Sequence, residues 1–398
     1  MEYKKIKIPL KIFIFLSLIF NFYQCKNVLS STEPIIKVLI KKDNYVRIRS
    51  DNSFPIRLSA KDFSRRKVQG ITIRKKDKKN TIFFDSNKEK IYNIGNKTKL
   101  ILRTSDKRGI WVGGKRYQGL VKVYFSNDGI FIINELGIEK YLNSVVGGEM
   151  PYKWPMEALR AQAIASRTYA IKKMNNSLYD IDSTQNDQVY NGLESNTYET
   201  SRAVKSTRSL VLVHNDKLIN AVFHSSSGGI TENSHDVWEN KLPYLKSVRD
   251  FDQNNPKLRW ERGYTENKLE DLFPTIGGIK KIDILNISQT GRIKQMKISG
   301  KYDSKEISGK EFRSKLKLKS TLFRFKYLYN IDNEINDNIQ SNISSGDYIL
   351  FSGLGAGHGV GMSQWGAKYM AERGFKANQI LKHFYSGVQI KPFKKYYK

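Results

Sequence analysis

The sequence predicts an α+β protein: a mixed β-rich domain with a central buried helix and a glycine-rich C-terminal motif, plus an N-terminal β-rich module. Three observations predict this. Short runs of alternating apolar and polar residues recur through the first 135 positions, the period-2 mark of strands. The segment Glu157–Ile171 is rich in alanine, the best helix former. Glycines stand at every second position from Gly353 to Gly361, a pattern for tight bends or close packing.

The N-terminus sets the compartment. Lys4, Lys5 and Lys7 precede the apolar run Ile12–Phe20, which is far shorter than the roughly 20 residues that span a bilayer. A basic start and a short apolar core read as an export signal over residues 1–25. Cys25, the one cysteine of the chain, stands where a lipoprotein signal would be lipidated. The bulky Phe22-Tyr23-Gln24 before it match such a signal poorly, so lipidation, plain secretion and an uncleaved membrane anchor stay open. Each outcome places residue 26 onward outside the cytoplasm, in the cell envelope.

Residues 26–108 read as the β-rich module. Its strands are expected at Ile35–Ile40, Tyr45–Arg49, Gly70–Arg74, Thr81–Phe84 and Lys99–Arg103. Residues 109–392 form the second region. It opens with two strands, Gly119–Phe125 and Ile130–Asn134, around the hairpin signal Asn127-Asp128-Gly129. The helix Glu157–Ile171 follows, with Pro155 suited to its first turn. Met156, Leu159, Ala163, Ala170 and Ile171 approximate one apolar stripe. Strands Leu210–Val213 and Leu218–Phe223 flank the turn Asn215-Asp216. Further strands are expected near Ile282–Ser288 and Ile293–Ser299, with a short helix at Glu311–Leu318. Ile331–Ser345 is polar and reads as a solvated loop. A helix from Ser363 to Arg373 stops at Gly374, and a last helix runs from Ala377 to Tyr385.

Composition narrows the functions. Of 398 residues, 39% are hydrophobic and 12% aromatic, which supplies a core and excludes a disordered chain. One cysteine excludes a disulfide framework, an all-cysteine zinc site and a CxxC redox centre. Lys+Arg number 69 against 38 Asp+Glu, a net charge of +31. That surplus fits a solvated lysine-rich surface or attraction to an anionic envelope. No finger, helix-turn-helix or ribonucleoprotein signature points to nucleic acid.

Three places carry candidate chemistry. Glu149 lies between Gly148 and Met150-Pro151, at the entry to the alanine-rich helix. A helix dipole would favour a carboxylate there. A partly desolvated glutamate would instead be a general acid, and both readings stand. His358, between Gly357 and Gly359, is a candidate ligand-binding ring near Ser363, Gln364 and Trp365. The glycines are no nucleotide loop, because no GK[ST] follows. His224 and His235, with Glu232 between them, fall short of the roughly four ligands zinc takes. Ser225–Ser227 beside His224 lack the GxSxG of a hydrolase nucleophile.

Taken together, these segments resemble the stage II sporulation protein D family (SpoIID/LytB). The resemblance runs from Gly114–Gly119 through Tyr141-Leu142, Gly148–Pro151 with Ala161–Ala170, and Asp187–Gly192. It continues through Phe223–Gly229, Val237-Trp238 and Pro243–Leu245 to Ser308-Gly309, Lys319–Phe323 and Gly357–Ala367. The Glu-Met-Pro and Gly-His-Gly-Val-Gly-Met-Ser-Gln segments are its most specific parts. The first hundred residues do not share it.

The resemblance implies a peptidoglycan lytic transglycosylase that needs no cofactor. Glu149 is then the acid that protonates the glycosidic oxygen between N-acetylmuramic acid and N-acetylglucosamine. The muramoyl 6-hydroxyl closes on the anomeric carbon, leaving a 1,6-anhydro end. Such an intramolecular attack explains how one carboxylate suffices where ordinary glycosidases use two. The resemblance also implies a preference for glycan strands stripped of stem peptides. Gln162, Arg167, Asp187, Tyr190, His224, His358, Ser363 and Gln364 are the cleft candidates. The alternative it implies is a non-catalytic, peptidoglycan-binding enhancer of an N-acetylmuramoyl-L-alanine amidase, and a purely structural lipoprotein is a further rival. Two departures are notable. Serines 225–227 stand where some members carry zinc-binding cysteines, so no metal is expected. Gly148 stands where serine is common, which would loosen the geometry beside Glu149.

Overall fold

A computed structural model describes residues 33–394, apart from 52, 61–64, 77–78, 86–89, 92–93, 96–97, 176 and 329–347. The export signal, Cys25 and the loop expected at Ile331–Ser345 lie outside the described residues. Residues Ile35–Lys398 form one compact unit, with helices and strands mixed as expected.

The N-terminal half is two sheets. In the first, Ile35–Asp43 pairs antiparallel with Gly129–Gly137 and parallel with Ile181–Asp182. Leu120–Ser126, Lys99–Arg103, Ile56–Ser59 and Arg66–Val68 continue it on the other side. In the second, Tyr45–Arg49 lies between Ile110–Val112 and Gly70–Lys76. Strict alternation dictates this: Leu120–Ser126 buries every second residue, and so does Tyr45–Arg49. Both sheets turn their apolar faces into one core. Strand pairing thus crosses residue 108, where the sequence divides module from catalytic region. The hairpin at 127–129 forms as expected, with Ser126 opposite Gly129.

Eight helices are described: α1 Ile138–Glu149, α2 Met156–Lys173, α3 Tyr198–Ser206, α4 Ser234–Val237, α5 Glu266–Leu272, α6 Gly309–Lys315, α7 Gln364–Glu372 and α8 Ala377–Phe384. Helix α2 is the predicted central helix, but it does not present one stripe. Every residue from Ala161 to Ile171 is buried, because α1, α3, α7, α8 and the strand Leu210–His214 pack on it from several sides. Alanine permits that close approach. Pro155 stands just before the helix as its N-cap. Helix α1 is not foreseen by the sequence at all. The expected strand Leu218–Phe223 is broken into Lys217–Leu218 and Phe223–His224, and the latter runs parallel to Met362–Ser363.

Residues 259–354 build a second core. Three strands, Arg259–Thr265, Phe323–Leu328 and Tyr348–Leu354, form one sheet. Lys281–Ile287, Ile293–Ser299 and Ser304–Ser308 form another. Helices α5 and α6 accompany them, around Phe273, Phe312, Phe323 and Phe351. No helix among the described residues is long and apolar enough to cross a membrane.

A fully buried arginine ties the first core together. Arg167 on α2 donates Nε–H to Glu139 Oε1 at 2.9 Å and Nη2–H to Oε2 at 2.7 Å, and reaches the Leu210 carbonyl at 3.1 Å. Breaking one partner of such a pair leaves a buried charge alone. Arg167→Gln is therefore expected to lower the unfolding free energy by about 3–5 kcal/mol, read from urea midpoints. The double change Arg167→Met with Glu139→Met should recover most of that loss.

Candidate functional site

Glu149 is the last residue of α1, not the first of α2. The helix dipole there disfavours a carboxylate, the opposite of the effect expected from its place in sequence. The two glycines before it admit a close neighbour. A Cβ on Gly147 would stand 2.0 Å from the Ser195 carbonyl oxygen, and one on Gly148 2.5 Å from that of Val189. They let the segment 189–195 lie directly on the last helical turn, so Gly148 tightens the geometry it was expected to loosen. That approach brings the Val189 N–H to Glu149 Oε1 at 2.7 Å. Gln364, the first residue of α7, donates Nε2–H to Oε2 at 3.3 Å.

Burial dominates the balance. It pushes the Glu149 carboxyl from 4.5 up to about 7, against the two hydrogen bonds that favour its ionised form. Near neutral pH much of the population holds a proton in place.

Glu149 lines a cleft of about 790 Å³. The lining also includes Tyr169, Lys173, Asp187, His224, Trp238, Arg313, Lys317, Lys319, His358 and Gln364. The expected cleft residues thus divide. Asp187, His224, His358 and Gln364 join Glu149 there. Gln162 and Arg167 do not, since both are wholly buried in α2, Gln162 donating to Ser166 at 2.9 Å. Tyr190 is buried behind the wall and donates to Asn134 Oδ1 at 2.7 Å. Ser363 is buried too. It caps α7 by accepting the Gly366 N–H, which holds Gln364 in place.

Asp187 is fully engaged. It accepts from Tyr169 Oη at 2.7 Å and from the Asp182 N–H at 2.9 Å, and pairs with Lys173 at 3.2 Å. His358 accepts the Val360 N–H at Nδ1 and bonds the Phe223 backbone. Both its nitrogens are used, so it shapes the cleft rather than offering a free donor. Burial lowers its pKa to about 4. His224, 5.4 Å away between ring centroids, is pushed well below the usual range by burial and then by His358. Its Nδ1 lies 3.1 Å from the Val360 carbonyl, so Nδ1 carries the proton and Nε2 is a bare acceptor. That Nε2 has no partner among the described residues. The Trp238 ring lies 5.1 Å from that of His358, tilted by 55°.

The glycine motif explains this packing. Gly355, Gly357, Gly359 and Gly361 all hold positive φ, which only glycine adopts freely. A Cβ on Gly357 would sit 2.7 Å from that of His224, so the loop folds directly over the histidine.

The other histidine and the serines have different employment. His235 on α4 is 3.7 Å from Asp236. Glu232 is buried against Ser288, Thr290 and Arg292. Ser226 donates to Asp252 and Ser227 to Asp250, so neither hydroxyl is a free nucleophile. Among the described residues no three His, Cys, Asp or Glu side chains are grouped to hold a metal ion. Sequence reasoning missed Tyr169, Lys173, Trp238 and the cations at 313–319. Tyr169, Trp238 and Lys319 lay within segments of the family resemblance, whereas Lys173, Arg313 and Lys317 had no signal.

The family model described as stage II sporulation protein matches residues 126–214, which hold Glu149 and α2. A domain of unknown function (DUF8618) matches residues 244–361, which hold the second core. The chain is 33% identical over 302 residues to an uncharacterized protein of Brachyspira hyodysenteriae, covering 73% of this chain and 76% of that one. It is 33% identical over 279 residues to stage II sporulation protein D of Bacillus subtilis, covering 65% and 75%. It is also 30% identical over 287 residues to the amidase enhancer of Bacillus subtilis, covering 63% of this chain and 40% of that protein.

The raised Glu149 pKa has a stability consequence. Native chains hold the proton more tightly than unfolded ones, so this group favours folding at low pH. Its contribution falls away as pH rises from 4.5 through about 7. Ionising it costs the fold about 3 kcal/mol by pH 8. Glu149→Gln removes that cost. Its melting temperature, relative to wild type, should be higher at pH 8 than at pH 4.

Proposed function

The chain belongs to the stage II sporulation protein D family, and on that premise we propose that it is a lytic transglycosylase of the bacterial cell wall. The observation that carries this reading is one proton-holding carboxyl in a large polar cleft. Its single carboxylate companion there, among the described residues, is already engaged by Tyr169, Lys173 and a backbone N–H.

The proposed substrate is a glycan strand already stripped of stem peptides. Glu149 gives its proton to the oxygen joining C1 of N-acetylmuramic acid to C4 of N-acetylglucosamine. That C1–O bond breaks, and the muramoyl O6 bonds to C1. The O6 proton passes to the Glu149 carboxylate, so no water is consumed. Val189 N–H fixes Oε1 throughout. The Gln364 side chain can present its NH₂ to the carboxylate or, turned over, its oxygen to the acid. Trp238 offers an apolar face to a sugar ring, and the buried His224 supports the cleft floor beneath it.

A second reading follows from the relative named amidase enhancer: a protein that binds the strand, assists an amidase and cuts nothing. The two separate on one experiment. Amidase-stripped peptidoglycan is digested with the purified soluble chain, wild type beside Glu149→Gln, and read by mass spectrometry. Anhydromuramoyl ends from wild type alone are expected. Reducing ends would mean hydrolysis, and retained binding without products would favour the enhancer.

The pH profile tests the acid's role. The competent form carries the proton, so kcat/KM should fall about tenfold per pH unit above a midpoint near 7. Gln364→Leu removes a bond that favours the ionised form, so its alkaline limb should lie at higher pH.

A further inference from the structure

Resting on the glycan-cleaving reading, we propose that Arg313, Lys317 and Lys319 form an anion subsite that reads the free lactyl carboxylate of a peptide-stripped muramoyl unit. On an intact strand that carbonyl is a neutral amide to the stem peptide. Once the amide is hydrolysed it is a carboxylate. Charge at this one position separates the two strands, and these three cations read it.

Four observations place the subsite. The first is Arg313. It is half-buried in the cleft wall, on α6, and its Nε donates to the Leu318 carbonyl at 3.3 Å. Among the described residues its two terminal nitrogens have no acceptor, and no carboxylate pairs with it. Burial pulls its pKa down from the usual value, the sign of a guanidinium short of compensation. An entering anion supplies what is missing, and guanidinium geometry suits a carboxylate.

The second is the charge balance of the cleft. Four cations line it: Lys173, Arg313, Lys317 and Lys319. Lys173 is matched by Asp187, and burial keeps a proton on Glu149 in much of the population near pH 7. Three positive charges are left facing the substrate space without a counter-charge.

The third is backbone strain. Lys317 follows the C-terminal end of α6 with φ of 48°, a position where glycine is usual. Arg262 holds its carbonyl at 2.8 Å. A strained lysine in place of a relaxed glycine marks a side chain that is needed there. The fourth is the link to the acid side. The Lys319 carbonyl accepts the Gly357 N–H at 2.8 Å, which fastens the subsite to the loop carrying His358.

The test reads affinity, so that it stands apart from cleavage. The full exported chain carrying Glu149→Gln is titrated with peptide-stripped glycan strands. It is also titrated with the same strands after their lactyl carboxylates are converted to primary amides. Amidation is expected to weaken binding about tenfold or more, the worth of one charge-assisted contact. Adding Arg313→Gln should leave both strands bound alike, at the weaker level. Lys319→Gln, at an exposed side chain, should shrink the preference and carries the test should Arg313→Gln melt early. Lys317→Gly should raise the melting temperature by relieving strain while shrinking the preference.

Equal affinity of the Glu149→Gln chain for both strands overturns the subsite. So does a preference that survives both Arg313→Gln and Lys319→Gln. Absence of binding to either strand overturns the subsite together with the glycan reading. A wild-type chain that yields no anhydro ends, with the carboxylate preference intact, overturns the cleavage reading alone.

Discussion

Keeping the Glu149 carboxyl out of water at the C-terminal end of α1 requires support from three separate stretches of chain. The segment 189–195 must lie on the last turn of α1, and Gly147 and Gly148 exist to admit it. Helix α7 must begin where Gln364 reaches Oε2, which Ser363 fixes by capping it. Both α1 and α7 need a rigid body to lean on, and α2 supplies it. Arg167 locks α2 to α1 through Glu139, with the bidentate geometry that makes a buried pair worthwhile. The acid is weak because these supports displace solvent while providing only two hydrogen bonds.

The cleft is divided between two cores. The first provides the proton, through α1, and the neutral histidine pair. The second provides positive charge, through α6 and the turn after it. Arg313 is also among the charges that keep His224 and His358 unprotonated. The two contributions therefore act on one another before any substrate arrives. A wall of cations beside a neutral acid suits an anionic polymer, and the net charge of +31 extends that bias over the whole surface.

Much of this was legible in the sequence because it rests on local rules. Alternation marked the strands, alanine marked α2, and alternate glycines marked the loop over His224. Glu149 was legible as a residue out of place, a glutamate between Gly148 and Met150-Pro151. Helix α1 was not. Its valines and two glycines carry weak helical propensity, and tertiary packing forms it instead. Gln162 and Arg167, offered as cleft candidates with the family resemblance, were misplaced because the sequence does not reveal that α2 is buried all round. In a helix buried all round, such groups must satisfy one another inside. The 313–319 cations looked like any solvated charge run. Only the folded chain shows that they border the same space as Glu149.

The bond between Glu149 and Gln364 spans 215 positions. No contiguous stretch shorter than that holds the whole environment of the carboxyl group. A chain still being synthesised, or one ending before α7, carries the glutamate without its partner or the strand beside His224. Closing so long a loop is a late and slow kind of event in folding. The complete environment of the Glu149 carboxyl therefore arrives as a single step, once α7 has been made, rather than growing in as its parts emerge.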